Sequence, residues 1–544
     1  MSEDPVAEIY SWQRQGFRCF ALAMVGAFLV SGAAFLSLNV VDPGFLDNLF
    51  PRISDLVARL AYVVKGMDLA IGQGQTHSCV LSSIKDSQPT MGFETSAGME
   101  SSPVPAEPAA SDVPKMTTLK HIKLDARHRC LRWKNTIASV CMFGAVSGIF
   151  GMSPLSDLMN NQVPEGWEWL APGVTVPAVT HLLAQAVVLP ATGGMAKRLE
   201  PWQTWLVVTL GMVSPLSIAL SSLQGLFWLQ YAGAAVASIG VAMSLEYTQV
   251  VVLQWWALDG RQNVGVAFQG MMMASSMVVI SVILGITGNA WGLAGAAYSE
   301  VCLLAIIYLF PLLLVARGEL GPPPASLLVA PTSHLRQSPA PSVASLVRSA
   351  SFWHVVLHQF LVPFTGFGMK LLLTSVFQTT YGTSFLHSAY LASVSMVLFV
   401  AARGVFPLIS QAIPLFLVLS VLLLINSVLY ASYPSIIAHL PVWWLLIAKS
   451  LAGAAFAGML CLNPLVLLQI YSPVDLPVVF AATGPARGLG FALGPVVGYY
   501  LFLACQGGGM DDQTSYNLFF YISAALSLAA AMNMLWLQKV SAHS

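Results

Sequence analysis

Charge is what this chain lacks most. Of 544 residues only 24 are Lys or Arg and 24 are Asp or Glu, 9% together, where a soluble domain carries roughly 25%. The two signs cancel, so no basic footprint for nucleic acid is present. Cysteine is scarce as well. The seven that occur form no CxxC pair, which leaves reduced thiols in or beside apolar spans as the expectation for most of them. The sequence has no Asn-x-Ser/Thr acceptor, phosphate loop, HExxH, GxSxG or carboxylates paired at catalytic spacing. ATP-driven transport and catalysis are thereby disfavoured, and no cofactor or metal is expected.

What the chain has in excess is apolar length: 56% of its residues. A bilayer-crossing helix takes about 20 apolar residues in a row. Such runs cover about 135–156, 173–193, 202–222, 225–254, 264–288 and 292–316, then 351–379, 384–402, 411–432, 440–470, 478–504 and 517–538. In lipid the backbone must satisfy itself, so the fold class predicted is an all-α polytopic membrane protein of two six-helix bundles. An earlier run, Gly16–Val41, is long enough to be one extra N-terminal span, with a cleaved leader as its alternative. The domain boundaries follow: 1–41 tail and extra span, 42–134 polar and partly disordered insertion, 135–316 first bundle, 317–350 Pro/Ser-rich linker, 351–538 second bundle, 539–544 tail.

Loop charges orient the chain. With the linker placed in the cytoplasm, that side receives Arg132, Lys134, Lys197, Arg198, Arg261, Arg317, Arg336, Arg348, Arg403 and Lys539, with Arg487 near it. Loops 157–172, 223–224, 289–291, 380–383, 433–439 and 505–516 contain no Lys or Arg. That is the asymmetry of the positive-inside rule. It puts both ends of the twelve-span unit inside, in a multi-pass membrane protein whose host membrane stays open.

Two blocks of six spans, both ends inside and a long middle loop resemble the major facilitator superfamily. After the second span of the unit comes Gly193-Gly194-Met195-Ala196-Lys197-Arg198-Leu199-Glu200-Pro201, where that family has a Gly-x-x-x-Asp-Arg-x-Gly-Arg-Arg loop. Gly193 and Arg198 match. Lys197 stands for the Asp, Glu200 for the Gly, and Pro201 and Trp202 for the basic pair. Arg261 with Gly265 and Gly270, and Arg487 with Gly488, Gly490, Gly494, Pro495 and Gly498, resemble the family's fifth and eleventh spans, its monocarboxylate and amino-acid branches among others. Gly at spacing four allows close helix approach. Gln254 and Gln469 end similar segments, VVVLQ and LVLLQ, as two related halves would.

Ionisable groups at membrane depth are costly and are functional candidates. Lys370 and Lys449 lie in spans that line the pathway in the resembled family, and with Gln359 and Asn463 form the expected substrate set. Glu246, or His354 and His358 on one helix face, are candidates for proton coupling. Gly193, Lys197, Arg198, Arg261, Arg403 and Arg487 are read as gate or latch residues. His181 is read as a packing histidine and Glu300 as structural.

The resemblance implies a monomeric secondary active transporter working by alternating access. Its cargo would be a small polar metabolite carrying a carboxylate, an organic anion or amino acid, with protons as a candidate coupling ion. Its partners would be that small molecule and the lipid bilayer. The alternative is a membrane receptor or nutrient sensor that keeps a transporter fold without transport.

Overall fold

The computed structural model describes residues 126–143, 155–167, 170–195, 198–318, 320–324, 327 and 343–543. The Gly16–Val41 run, the insertion up to residue 125 and most of the linker lie outside the described residues.

The chain begins with α1 (Ala126–Met142) and a short α2 (Ser156–Asn160). Then come α3 (Pro172–Thr192), α4 (Pro201–Gln224), α5 (Trp228–Ala257) and α6 (Gln262–Ala316). After the linker, α7 (Val343–Val347) is a single turn. It is followed by α8 (Ala350–Thr379), α9 (Phe385–Ile409), α10 (Leu415–His439), α11 (Val442–Ile470), α12 (Leu476–Gly507) and α13 (Asp512–His543). Ten of these helices are long and apolar enough to cross a membrane. Large apolar side chains such as Ile306, Val428 and Met532 stay exposed on them, as a lipid-facing surface requires. The protein is an integral, multi-pass membrane protein.

Twelve crossings were expected from the apolar runs, and the difference from ten has two sources. The first expected span, about 135–156, runs across residues 144–154, which lie outside the described residues. The fifth and sixth are both inside α6. As one straight helix its 55 residues would run about 80 Å. Yet Arg261, just before its start, shares a cavity with Arg132 of α1. Gly321, just after its end, donates its N–H to Asn135 of the same helix at 2.9 Å. Both ends therefore meet one face, and the chain reverses at Gly292, where φ is 66° and ψ −166°. A Cβ makes that conformation costly, so glycine occupies it.

Among these helices packing rests on small residues, because lipid supplies little hydrophobic drive between them. A Cβ on Gly490 would sit 2.3 Å from the carbonyl oxygen of Phe360, and one on Gly494 2.1 Å from that of Phe364. The glycine spacing noted in the sequence is thus the seam along which α12 lies on α8. The two halves meet along two further seams: α3 against α12, and α6 against α9.

The base of the first half, on the side where the linker leaves, is tied by polar contacts. Arg132 pairs with Asp259 at 2.5 Å, and its guanidinium lies 4.1 Å from the centroid of the Trp256 ring. Asn135 also accepts from the Tyr247 hydroxyl, and the Trp255 indole donates to the carbonyl of Gly321 at 2.8 Å. The linker therefore leaves from a point fixed on α1 and α5.

Candidate functional site

Two adjoining cavities gather the charge that the sequence places at membrane depth. The first, of about 60 Å³, lies between the halves and is lined from α1, α3, α5 and α6 on one side and α9, α11 and α12 on the other. Two of its walls are irregular. α3 is π-helical over Leu183–Val188, and α5 over Tyr247–Val251. A π turn holds an extra residue and widens the helix, a feature common at functional sites. Each segment supplies one glutamine to the cavity, Gln185 and Gln249.

Opposite them stand two buried arginines. Arg487, 6% exposed, donates through Nε to Gln185 Oε1 and lies 3.9 Å from the Phe480 ring centroid. Its Nη2 has no partner among the described residues. Arg403, 5% exposed, lies 4.8 Å from the Phe399 centroid, and its Nε is likewise unpartnered. His181 stacks on Phe491 at 4.8 Å and meets Phe367 edge-on at 5.4 Å. Its Nδ1 is 3.3 Å from the Gln185 amide nitrogen. Asn463 completes the wall, with its Oδ1 2.7 Å from Nε2 of His358.

The second cavity, of about 50 Å³, lies within the second half. Lys370 of α8 and Lys449 of α11 line it together with Tyr430 and Tyr433 of α10. The Lys449 ammonium is 4.8 Å from the Phe377 ring centroid. Lys370 lies within electrostatic reach of both Lys449 and Arg403. Phe399 joins the two spaces: it lines the second cavity, and its ring carries Arg403, which lines the first. Among the described residues, no Asp or Glu lines either cavity. Four basic side chains thus line two small cavities enclosed by buried, largely apolar residues. There an anionic group gains far more Coulomb energy than in bulk solvent.

Of the remaining described candidates only His358 reaches a wall of these two cavities, through Asn463. His354 and His358 share a face of α8 but separate in their contacts. His354 Nδ1 is 2.7 Å from Asn533 Oδ1 on α13, and Asn533 donates back to the His354 carbonyl at 2.8 Å. Gln359 is 1% exposed, and neither amide atom finds a partner among the described residues. Glu246 is 2% exposed, immediately before the π segment of α5. A Cβ on Gly193 would meet the Ala481 side chain at 2.6 Å, so this glycine permits contact between α3 and α12. Lys197 lies outside the described residues. Arg198 and Arg261 are exposed.

Several cavity residues carry little signal in the sequence. Gln185 is four residues after His181, so helix geometry puts both on one face; that spacing is the one clue to it. Gln249, Tyr430 and Tyr433 have none, since a polar side chain in an apolar span reads the same whether it points into a cavity or a helix seam.

The sequence matches no family profile and no curated protein. Solved structures do resemble it. The proton:xylose symporter XylE bound to 6-bromo-6-deoxy-D-glucose aligns with a TM-score of 0.57 at 13% identity, covering 76% of this chain and 96% of that one. The human organic anion transporter MFSD10 (TETRAN) aligns with a TM-score of 0.53 at 14% identity, covering 75% and 99%. At these identities the likeness is one of fold, and it is extensive.

Proposed function

We propose that this chain, which has the major facilitator fold, is a secondary active transporter of small organic anions. Its two halves would expose the central cavity to each side of the membrane in turn. The observation that carries this reading is the set of four cations, Arg403, Arg487, Lys370 and Lys449, placed around two adjoining cavities whose described lining has no carboxylate. Buried charge of one sign is unfavourable unless something compensates it, and an anionic cargo is that compensation. A carboxylate fits the planar guanidinium of Arg403 or Arg487. The lysines, as point charges on flexible stems, suit a second polar group.

Uptake of labelled monocarboxylates, dicarboxylates and amino acids into liposomes containing the purified protein tests the proposal. Saturable uptake of an anion that falls in the Lys370→Ala variant supports it. Uptake restricted to neutral solutes would overturn the anion assignment and leave transport standing. Binding without uptake would favour the sensor reading.

Proton coupling is a further part of the reading, with Glu246 as its carboxyl. If Glu246→Gln transported with an unchanged pH profile, that role would be lost.

A further inference from the structure

A third cavity, of about 640 Å³, lies at the ends of both halves on the side where the linker leaves, apart from the two already described. Arg132, Trp133, Arg261 and Asn263 line it from the first half, and Ser410 and Gln411 from the second. Arg132 is 2% exposed, and its Nε has no partner among the described residues. The Trp133 indole nitrogen is unpartnered too. Arg261 caps α6, and its side chain makes no capping bond. The amides of Gln262 and Asn263 belong to the first turn of that helix, where helical geometry supplies no acceptor and the dipole favours an anion. The lining is thus rich in hydrogen-bond donors.

The charge points the same way. Arg129 and Arg261 lie close enough to oppose the charge on Arg132, which burial also disfavours, while Asp259 supports it. Arg132 and Arg261 line the cavity; counting Arg129 and Asp259, which lie near Arg132 without lining it, three guanidiniums less one carboxylate leave a surplus of two positive charges around it. Asn263 bridges the halves, donating to the Pro407 carbonyl at 2.9 Å and to the Ser410 hydroxyl at 3.0 Å.

We propose that this cavity binds a phosphomonoester group, lodged between Arg132, Arg261 and the start of α6 and in contact with both halves of the protein. Such a group carries a charge of about −1.5 to −2 near neutral pH and three acceptor oxygens, which matches the surplus and the donors. It is supplied either by a lipid headgroup of the cytoplasmic leaflet or by a free phosphorylated metabolite.

The test uses the full-length protein in phosphatidylcholine nanodiscs, with melting temperature as the readout. One arm places phosphatidic acid in the disc, and the other adds glycerol phosphate to the buffer. At least one probe is expected to raise the melting temperature in a saturable manner. Arg261→Gln should weaken that binding about tenfold, the loss of one charge-assisted contact. Arg348→Gln, which removes a cytoplasmic charge outside the cavity, should leave it unchanged. A response to phosphatidic acid alone assigns the site to lipid, and a response to glycerol phosphate alone assigns it to a soluble ligand. Should Arg261→Gln be unstable without ligand, Gln411→Ala takes its place. The proposal is overturned if neither probe shifts the melting temperature, or if the shift survives Arg261→Gln and Gln411→Ala undiminished. Glycerol phosphate is itself a small organic anion, so Lys370→Ala separates the two sites: a shift that survives Lys370→Ala and falls in Arg261→Gln belongs to this cavity, and the reverse pattern assigns it to the central one and overturns the proposal.

Discussion

Arg487 of α12 donates its Nε hydrogen to Oε1 of Gln185 in the π segment of α3, joining the two halves of the chain beside the central cavity. The bond holds a buried guanidinium whose Nη2 is otherwise unpartnered among the described residues. Removing Gln185 therefore strips a hydrogen bond from a charged group. Gln185→Ala is expected to lower stability by about 2 kcal/mol, read as a lower melting temperature in detergent. Gln185→Glu, which pairs with the guanidinium, should lower it less. An unaltered melting temperature for Gln185→Ala would show that the bond contributes nothing.

Lys449→Ala and Lys370→Ala should each weaken an anionic cargo by roughly tenfold or more, the worth of one hydrogen bond to a charged group in a small, largely apolar cavity. The loss should fall on the KM for uptake and spare a neutral solute. Equal losses for charged and neutral solutes would mean that the lysines support the fold.

On the α3–α12 seam, a methyl group on Gly484 would lie 2.5 Å from the carbonyl oxygen of Gln185. Gly484→Ala is expected to force the two helices apart, at about 1–3 kcal/mol for overpacking. Labelling of a cysteine introduced into the central cavity by a cytoplasmic reagent should speed up. Labelling at the native rate would show that the seam yields elsewhere.

Arg132 and Asp259 form a partly buried pair at 2.5 Å, with exposures of 2% and 17%. Arg132→Ala strands the carboxylate and should cost about 3 kcal/mol. The double variant with Asp259→Ala should recover a large part of that loss. If it is no more stable than Arg132→Ala alone, the pair is not coupled.

One acid-dependent contribution is expected in the loop between α12 and α13. The Thr514 hydroxyl and N–H hold the Asp511 carboxyl below its ordinary pKa, with the N–H donating to Oδ1 at 2.8 Å. The folded-state pKa is the depressed one. The stabilisation is therefore complete above the ordinary carboxylate pKa and is lost as pH falls through the folded-state value. Melting curves for Asp511→Asn should lack that acid-side loss, and a curve parallel to the parent protein at every pH would contradict the assignment.

The architecture was legible because lipid imposes it. Spans and the Gly490–Gly494 seam follow from run length and spacing. The reversal at Gly292 sits between the two runs predicted there and needs only one residue. The site was less legible. Arg403 and Arg487 were assigned to the cytoplasmic latch from their nearness to span ends, yet their long side chains line the central cavity. Residue number gives the depth of a Cα and not of a guanidinium. His354 and His358 share one face of α8, and that face meets α11 through His358 and α13 through His354, a division that the four-residue spacing does not carry. A π turn leaves no apolar period of its own over six residues, so neither of these segments could be foreseen.

The π segment of α3 also changes how the chain would tolerate gain or loss of a residue. Leu183–Val188 holds one residue more than an α-helix uses for the same rise. Deleting Ala186 need not shorten the span. The backbone could close into an α-turn and keep Gly193 facing Ala481. The same deletion in the regular stretch Pro172–Leu182 would turn everything beyond it by about 100° and carry Gln185 away from Arg487. A scan of single-residue deletions along α3 should therefore find its tolerant positions clustered at the cavity rather than at the ends of the helix.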